Sequence, residues 1–166
     1  AARKAQHILA DMGQEQLDAI VEAMARAFAA EAGMLAEMAV QETGFGKVED
    51  KVTKNLFASR NVAAAVRGMN CVGLLREDRE KKLWEIGIPV GVIAAIVPST
   101  NPPSTVCFKS LIAIKSGNPI IFSPHPKASE CTRKAAWILA EAAYRAGAPR
   151  GSIGCLSIPS MAGCQE

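Results

Sequence analysis

The sequence predicts an α/β protein: a run of N-terminal helices, then a parallel strand–helix–strand–helix–strand unit. Three observations predict it. Apolar residues recur at helical spacing through the first third of the chain. Residues 91–97 (GVIAAIV) and 119–122 (PIIF) are short apolar runs of strand length, the first rich in β-branched residues. Each is followed by a proline-containing turn and then a stretch of helical character. Hydrophobic residues make up 49% of the 166, enough for a sizeable core, and aromatics only 5%, so Ala, Val, Ile, Leu and Met must fill it. That profile suits helices packed on a sheet better than an aromatic-rich β-sandwich.

The elements follow in order. Leu17, Ile20, Val21, Met24 and Phe28 lie on one face of a first helix, and Met34, Leu35 and Met38 continue in a second that stops at Gly44-Phe45-Gly46. Val48, Val52, Leu56, Val62 and Val66 mark a third, ending near Gly68. Residues 70–75 and 83–88 read as the strands of a hairpin around the charged turn 76–82 (REDREKK). The run 91–97 reads as a strand buried on both faces, as parallel sheets require. PSTNPPS at 98–104 is a turn and residues 105–115 a helix, capped by Ser104 or a neighbour, with Gly117 at the position expected of a C-terminal glycine. After the strand 119–122 come the turn SPHPKA at 123–128, an Ala-rich helix at 128–146 stopped by Gly147 and Pro149, and a third strand at 153–158. With right-handed crossovers this is a Rossmann-like, three-layer mononucleotide-binding half. The expected segments are therefore 1–68 (helical), 69–90 (hairpin) and 91–166 (the first half of a dinucleotide-binding domain).

Several function classes are excluded by composition. The formal net charge of +3 is mild, and the one basic cluster, 76–82, is interleaved with acids, so it reads as a solvated turn and no nucleic-acid partner is expected. No run of 18 apolar residues exists, so no membrane span is expected, and the N-terminus lacks a signal-peptide core. The first residue is not Met, so the true start is expected to lie upstream. Cys71, Cys107, Cys131, Cys155 and Cys164 are odd in number and form no CxxC pair; neither a metal site nor a disulfide framework is expected, and free thiols point to a reducing, cytoplasmic setting.

In a parallel sheet, ligands bind at the loops after the carboxyl ends of the strands. PSTNPPS and SPHPKA are the loops in question. Prolines stiffen both, and small residues let a ligand approach the backbone. The first also ends at a helix N-terminus, whose free N–H groups favour negative charge. Neither is a GxGxxG or a P-loop. The residues alone leave open whether this α/β unit binds a nucleotide at all.

The stretch GIPVGVIAAIVPSTNPPSTVCFKSLIAIKSGNPIIFSPHPKA, residues 87–128, resembles the corresponding segment of CoA-acylating aldehyde dehydrogenases, and the similarity continues to Pro149 and covers the preceding helices. Specificity lies in the P-x-T-N-P and F-S-P-H-P strings together. The resemblance implies an incomplete aldehyde dehydrogenase fold and an oxidoreductase that converts an aldehyde and CoA to acyl-CoA. NAD is the expected cofactor, with NADP open, and CoA the co-substrate. It also implies that the nucleophilic cysteine lies beyond this chain, since none of the five matches its motif, and that the chain alone is inactive. Asn101 matches the asparagine whose amide N–H stabilises the oxyanion; the alternative is an Asn capping its own turn. Pro98, Ser99 and Thr100 match the segment lining the dinucleotide cleft. Ser123, Pro124, His125 and Pro126 match the loop under the adenosine ribose, where non-acylating relatives carry Lys and Glu at the positions of Ser123 and Pro126. That departure removes the carboxylate grip on a ribose diol and fits the acylating branch. His125 is assigned either to the adenine side of the cofactor or to loop packing. Lys109, Lys115 and Lys127 are assigned to the solvated surface, with a phosphate contact as the alternative, and Cys107 and Cys131 to packing.

The family implies a homo-oligomer and a small aldehyde substrate, and some of its members occupy bacterial microcompartments. Two other readings stand beside this one: a non-acylating semialdehyde dehydrogenase of the same fold, and a non-catalytic oligomerisation or scaffold fragment using helices 14–67.

Overall fold

The computed structural model describes residues 1–157; Ile158, assigned above to the last strand, and Cys164 lie outside the described residues. Helices α1 (Ala2–Ala10), α2 (Gln14–Ala30) and α3 (Ala32–Thr43) open the chain. The first of these, not delimited by the sequence reading, buries Ala5 and Leu9. The α2 face of Leu17, Ile20, Val21, Met24 and Phe28 is buried as its spacing predicts. On α3, Leu35 is buried with Ala32, Ala36 and Ala39 while Met34 and Met38 are half-buried, and the helix ends at Gly44 in the left-handed conformation, φ +70°.

The third predicted helix is interrupted. It runs as α4 (Val48–Leu56), a π-helical turn (Phe57–Asn61) and α5 (Val62–Val66). The five expected core residues, Val48 to Val66, are only half-buried. The buried seam is instead Lys51, Asn55, Ala58, Ser59 and Ala63. The extra residue of a π turn rotates the following face, and the buried polar groups are matched to backbone carbonyls. Asn55 Nδ2 donates to Ala32 O at 3.0 Å, and Ser59 Oγ to Asn55 O at 2.9 Å.

Strands β1 (Gly73–Asp78) and β2 (Leu83–Gly87) form an antiparallel hairpin, β1 lying nearer the turn than the sequence reading placed it, with an irregularity between Leu74 and Arg76. Its charged tip is solvated and self-paired, Arg76 with Asp78 and Glu85, and Arg79 with Glu77.

The parallel unit comprises β3 (Ile93–Val97), α6 (Pro102–Lys115), β4 (Ile120–Pro124), a 3-10 turn (Pro126–Ala128), α7 (Ser129–Arg145) and β5 (Ile153–Cys155). The sheet order is β3-β4-β5, parallel throughout. Both crossovers step in one direction, so both helices lie on one face, where α6 and α7 pack together; α2 and α3 pack onto them from outside. The layers are sheet, crossover helices, N-terminal helices. Consequently β3 is buried on one face only: Ala95 and Val97 point into the core, while Ala94 is exposed and Ile96 is 76% exposed. The expectation of a strand buried on both faces fails for this reason.

Candidate active site

The register places Val97 opposite Pro124, so the turns after β3 and β4 start level with one another. They are joined by the His125 N–H, which donates to Val97 O at 3.2 Å. Pro98 and Thr100 are exposed and Ser99 half-buried; Ser123 is half-buried, Pro124 buried, His125 and Pro126 exposed. Ser123 stands beside Ile96, on the sheet face that carries no helix. His125 caps the 3-10 turn through Nδ1, which accepts from the Lys127 N–H at 3.1 Å. This bond puts the neutral ring's proton on Nε2.

Asn101 occupies the N-cap position of α6, yet its side chain makes no cap bond. Its Oδ1 accepts from Lys54 Nζ at 3.1 Å. The capping alternative raised from the sequence therefore does not describe this residue, and Ser104 does not cap the helix either: its Oγ donates to Asn101 O at 3.3 Å. Pro102 and Pro103 fill the first two helical positions. Neither has an N–H, so the anion-binding end expected of α6 lacks two of its donors.

Helix α4 grips the same turn twice. Lys51 Nζ donates to Thr100 O at 2.7 Å, one turn before Lys54 meets Asn101. Lys51 is 6% exposed. Burial, then the neighbouring Lys54 ammonium, lowers its pKa below the usual lysine value, against a smaller opposing effect of Cys131. Sequence reading missed both lysines. A signal was present: Lys51, Asn55, Ala58 and Ser59 form a small and polar stripe at helical spacing. From Asn101 an open groove of about 610 Å³ runs between α4–α5 and α6, lined by Lys54, Phe57, Val62, Thr105 and Phe108.

Cys107, Cys131 and Cys155 are poorly placed as nucleophiles. Cys107 and Cys131 are fully buried. Burial pushes the Cys107 thiol far above its usual range, that of Cys131 to about 12 with help from the Glu42 carboxylate, and that of Cys155 to about 11. No cluster of metal-ligating side chains occurs among the described residues. One surface assignment needs correction: Lys115 is buried against Asp18. Lys109 lies at the surface, half-buried, and donates to Ile96 O at 2.9 Å. No helix among the described residues is long and apolar enough to cross a membrane.

Parallel strands with small-residue turns at their carboxyl ends, and a polar amide set beside an apolar groove, define a parallel α/β segment with a candidate site at its strand ends. The chain belongs to the aldehyde dehydrogenase family, whose model matches residues 1–162. It is 49% identical over 159 residues to the bifunctional aldehyde-alcohol dehydrogenase AdhE of Escherichia coli K12, covering 96% of this chain and 18% of that protein. An acetylating aldehyde dehydrogenase from Geobacillus thermoglucosidasius superposes with a TM-score of 0.96 at 56% identity, over 97% of this chain and 36% of that one. A propionaldehyde dehydrogenase from Rhodopseudomonas palustris, solved with bound CoA and an acylated cysteine, superposes with a TM-score of 0.80 at 25% identity, over 99% of this chain and 37% of that one. The chain thus spans about a fifth to a third of the length of these relatives.

Proposed function

We propose that this chain is the first part of a CoA-acylating aldehyde dehydrogenase, in which Asn101 donates the amide N–H that stabilises the oxyanion. The observation carrying this reading is the Asn101 side chain itself. It sits at the carboxyl end of a parallel strand, unused as a cap and beside an apolar groove. A structural asparagine at an N-cap would bond to its own turn.

The overall reaction is aldehyde, CoA and NAD⁺ (or NADP⁺) giving acyl-CoA, reduced cofactor and a proton. A cysteine thiolate outside this chain adds to the aldehyde carbon, and the carbonyl oxygen takes up the negative charge. A nicotinamide coenzyme, when bound, would supply the hydride acceptor. Loss of hydride restores the carbonyl as a thioester, and the CoA thiol displaces the cysteine sulfur. Within this chain, Asn101 Nδ2 meets the oxygen while it is charged, an interaction worth about 3 kcal/mol in comparable oxyanion sites. The groove past Phe57 and Phe108 accommodates the aldehyde substituent.

The two turns fit a nucleoside strip better than a diphosphate cradle. Pro98, Ser99 and Thr100 form one side, and Ser123, Pro124, His125 and Pro126 the other; His125 offers its Nε2 proton. The prolines that open α6 withhold the N–H groups a pyrophosphate needs, so that contact is assigned to later segments, as is the catalytic domain. The bare apolar face at Ala94 and Ile96 supports a dinucleotide-binding domain that continues beyond residues 91–166. Ser123 and Pro126, where a Lys and a Glu would grip a ribose diol, favour the acylating branch over a non-acylating semialdehyde dehydrogenase. NAD is the expected cofactor, with NADP as the alternative. The whole enzyme is a cytoplasmic or microcompartment homo-oligomer acting on a small aldehyde.

The test is a CoA-dependent NADH assay on the full-length protein with acetaldehyde and propionaldehyde. Acyl-CoA formation strictly dependent on CoA is expected. Release of free acid without CoA would overturn the acylating assignment.

A further inference from the structure

The geometry points to Lys54 as a positioning residue for Asn101, its ammonium fixing which end of the carboxamide faces the reacting oxygen. The inference rests on the reading of Asn101 as oxyanion donor.

An asparagine side chain presents an acceptor and a donor that differ little in shape, and an unheld amide samples both orientations. A lysine ammonium only donates, so the amide atom facing it is the oxygen. Lys54 Nζ lies 3.1 Å from Asn101 Oδ1, which turns Nδ2 to the other side, where it has no acceptor among the described residues. The competing local bond, a cap to the α6 backbone, is absent. The backbone beneath the side chain is held from the same helix, through Lys51 Nζ on Thr100 O at 2.7 Å. Residues 51 and 54 are three apart and project from one face of α4. Neither lysine forms an ion pair among the described residues, whereas eight other pairs occur there. Both ammonium groups are thus directed at the 100–101 turn and not at surface acids. A positive charge on Oδ1 also polarises the amide and strengthens Nδ2–H as a donor.

The experiment uses the full-length enzyme, with kcat and KM measured for acetaldehyde at saturating CoA. The variants are Asn101→Ala, Lys54→Met, Lys54→Arg and the Lys54→Met/Asn101→Ala double variant, each checked by thermal unfolding. Asn101→Ala is expected to lower kcat by about 100-fold or more. Lys54→Met should lower kcat by about tenfold, less than the roughly 100-fold that a 1 Å misplacement can cost because the amide still samples its productive orientation, with KM changed less than about twofold. Lys54→Arg should recover most of that loss, and the double variant should match Asn101→Ala alone. Should Lys54→Met not fold, Lys54→Leu, which likewise has no donor, serves the same comparison. If Asn101→Ala impairs kcat while Lys54→Met leaves it unchanged, or if the two losses multiply in the double variant, the positioning role is wrong and the Asn101 role stands. An unimpaired Asn101→Ala enzyme would overturn both.

Discussion

Lys115 Nζ lies 2.5 Å from Asp18 Oδ1, an ion pair that ties the last turn of α6 to α2 with the lysine side chain only 2% exposed. Gln14 completes the junction. Its Nε2 donates to Asp18 Oδ1 at 2.8 Å and to Lys115 O at 3.2 Å, while its Oε1 accepts the backbone N–H of Cys71 at 2.6 Å. One cluster thus joins two helices and the entrance to the hairpin.

The partners of this pair differ in exposure, so their removal should differ in effect. Asp18→Ala leaves a buried ammonium without its counter-ion and is expected to destabilise by about 2 kcal/mol. This is below the range for a fully buried pair because Asp18 keeps about a third of its side chain in water. Lys115→Met fills the same space without a charge and should change stability by less than about 1 kcal/mol. Urea unfolding curves of the two variants check this; equal losses would sink the account.

Glu42 closes the N-terminal end of α7. Its carboxylate accepts the N–H groups of Glu130 and Cys131, both at 2.8 Å. Burial works to raise its pKa, but donation from Cys131, Glu130 and Ser129 outweighs it, and the net shift is downward from 4.5. A carboxylate depressed on folding contributes stability that is complete above its unfolded pKa and is lost as pH falls through its folded pKa. The melting temperature should therefore fall on acidification from about pH 5 downward. In Glu42→Gln that fall should be shallower and the value at pH 7 lower. A parallel acid limb in the two proteins would remove Glu42 from the explanation.

Thiol reactivity should rank by burial. Cys107 and Cys131, with pKa values pushed far up, are expected to stay unmodified by iodoacetamide in the native protein at pH 8, while half-buried Cys71 reacts before either of them. Peptide mapping by mass spectrometry before and after denaturation reads this directly. Native-state alkylation of Cys107 would reopen the question of a nucleophile within this chain.

Two left-handed glycines separate backbone strain from crowding. Gly44 (φ +70°) has open space where a Cβ would stand, so Gly44→Ala should destabilise by about 1 kcal/mol, the backbone penalty alone. Gly117 (φ +71°) would place a Cβ 2.8 Å from Pro89 Cγ, so Gly117→Ala should lose at least about 1 kcal/mol more. Chemical denaturation of both variants tests the difference.

The sequence by itself determined the order of helices and parallel strands, the two turns at the strand ends and the family. These are written in local terms: the apolar spacing of Leu17 to Phe28, the β-branched run before Pro98, and the paired P-x-T-N-P and F-S-P-H-P strings. Tertiary structure alone decided which side chains meet. Lys115, expected in solvent, is buried because Asp18, 97 residues away, neutralises it. The seam of α4 passes through Lys51 and Asn55 because carbonyls on other elements satisfy them and the π turn shifts the helix face. The face of β3 that carries Ile96 is uncovered because both crossovers run to one side. Periodicity records whether a residue is apolar; a partner distant in sequence determines whether a polar residue can be buried, and Asn101 acquires its orientation from Lys54 in the same way.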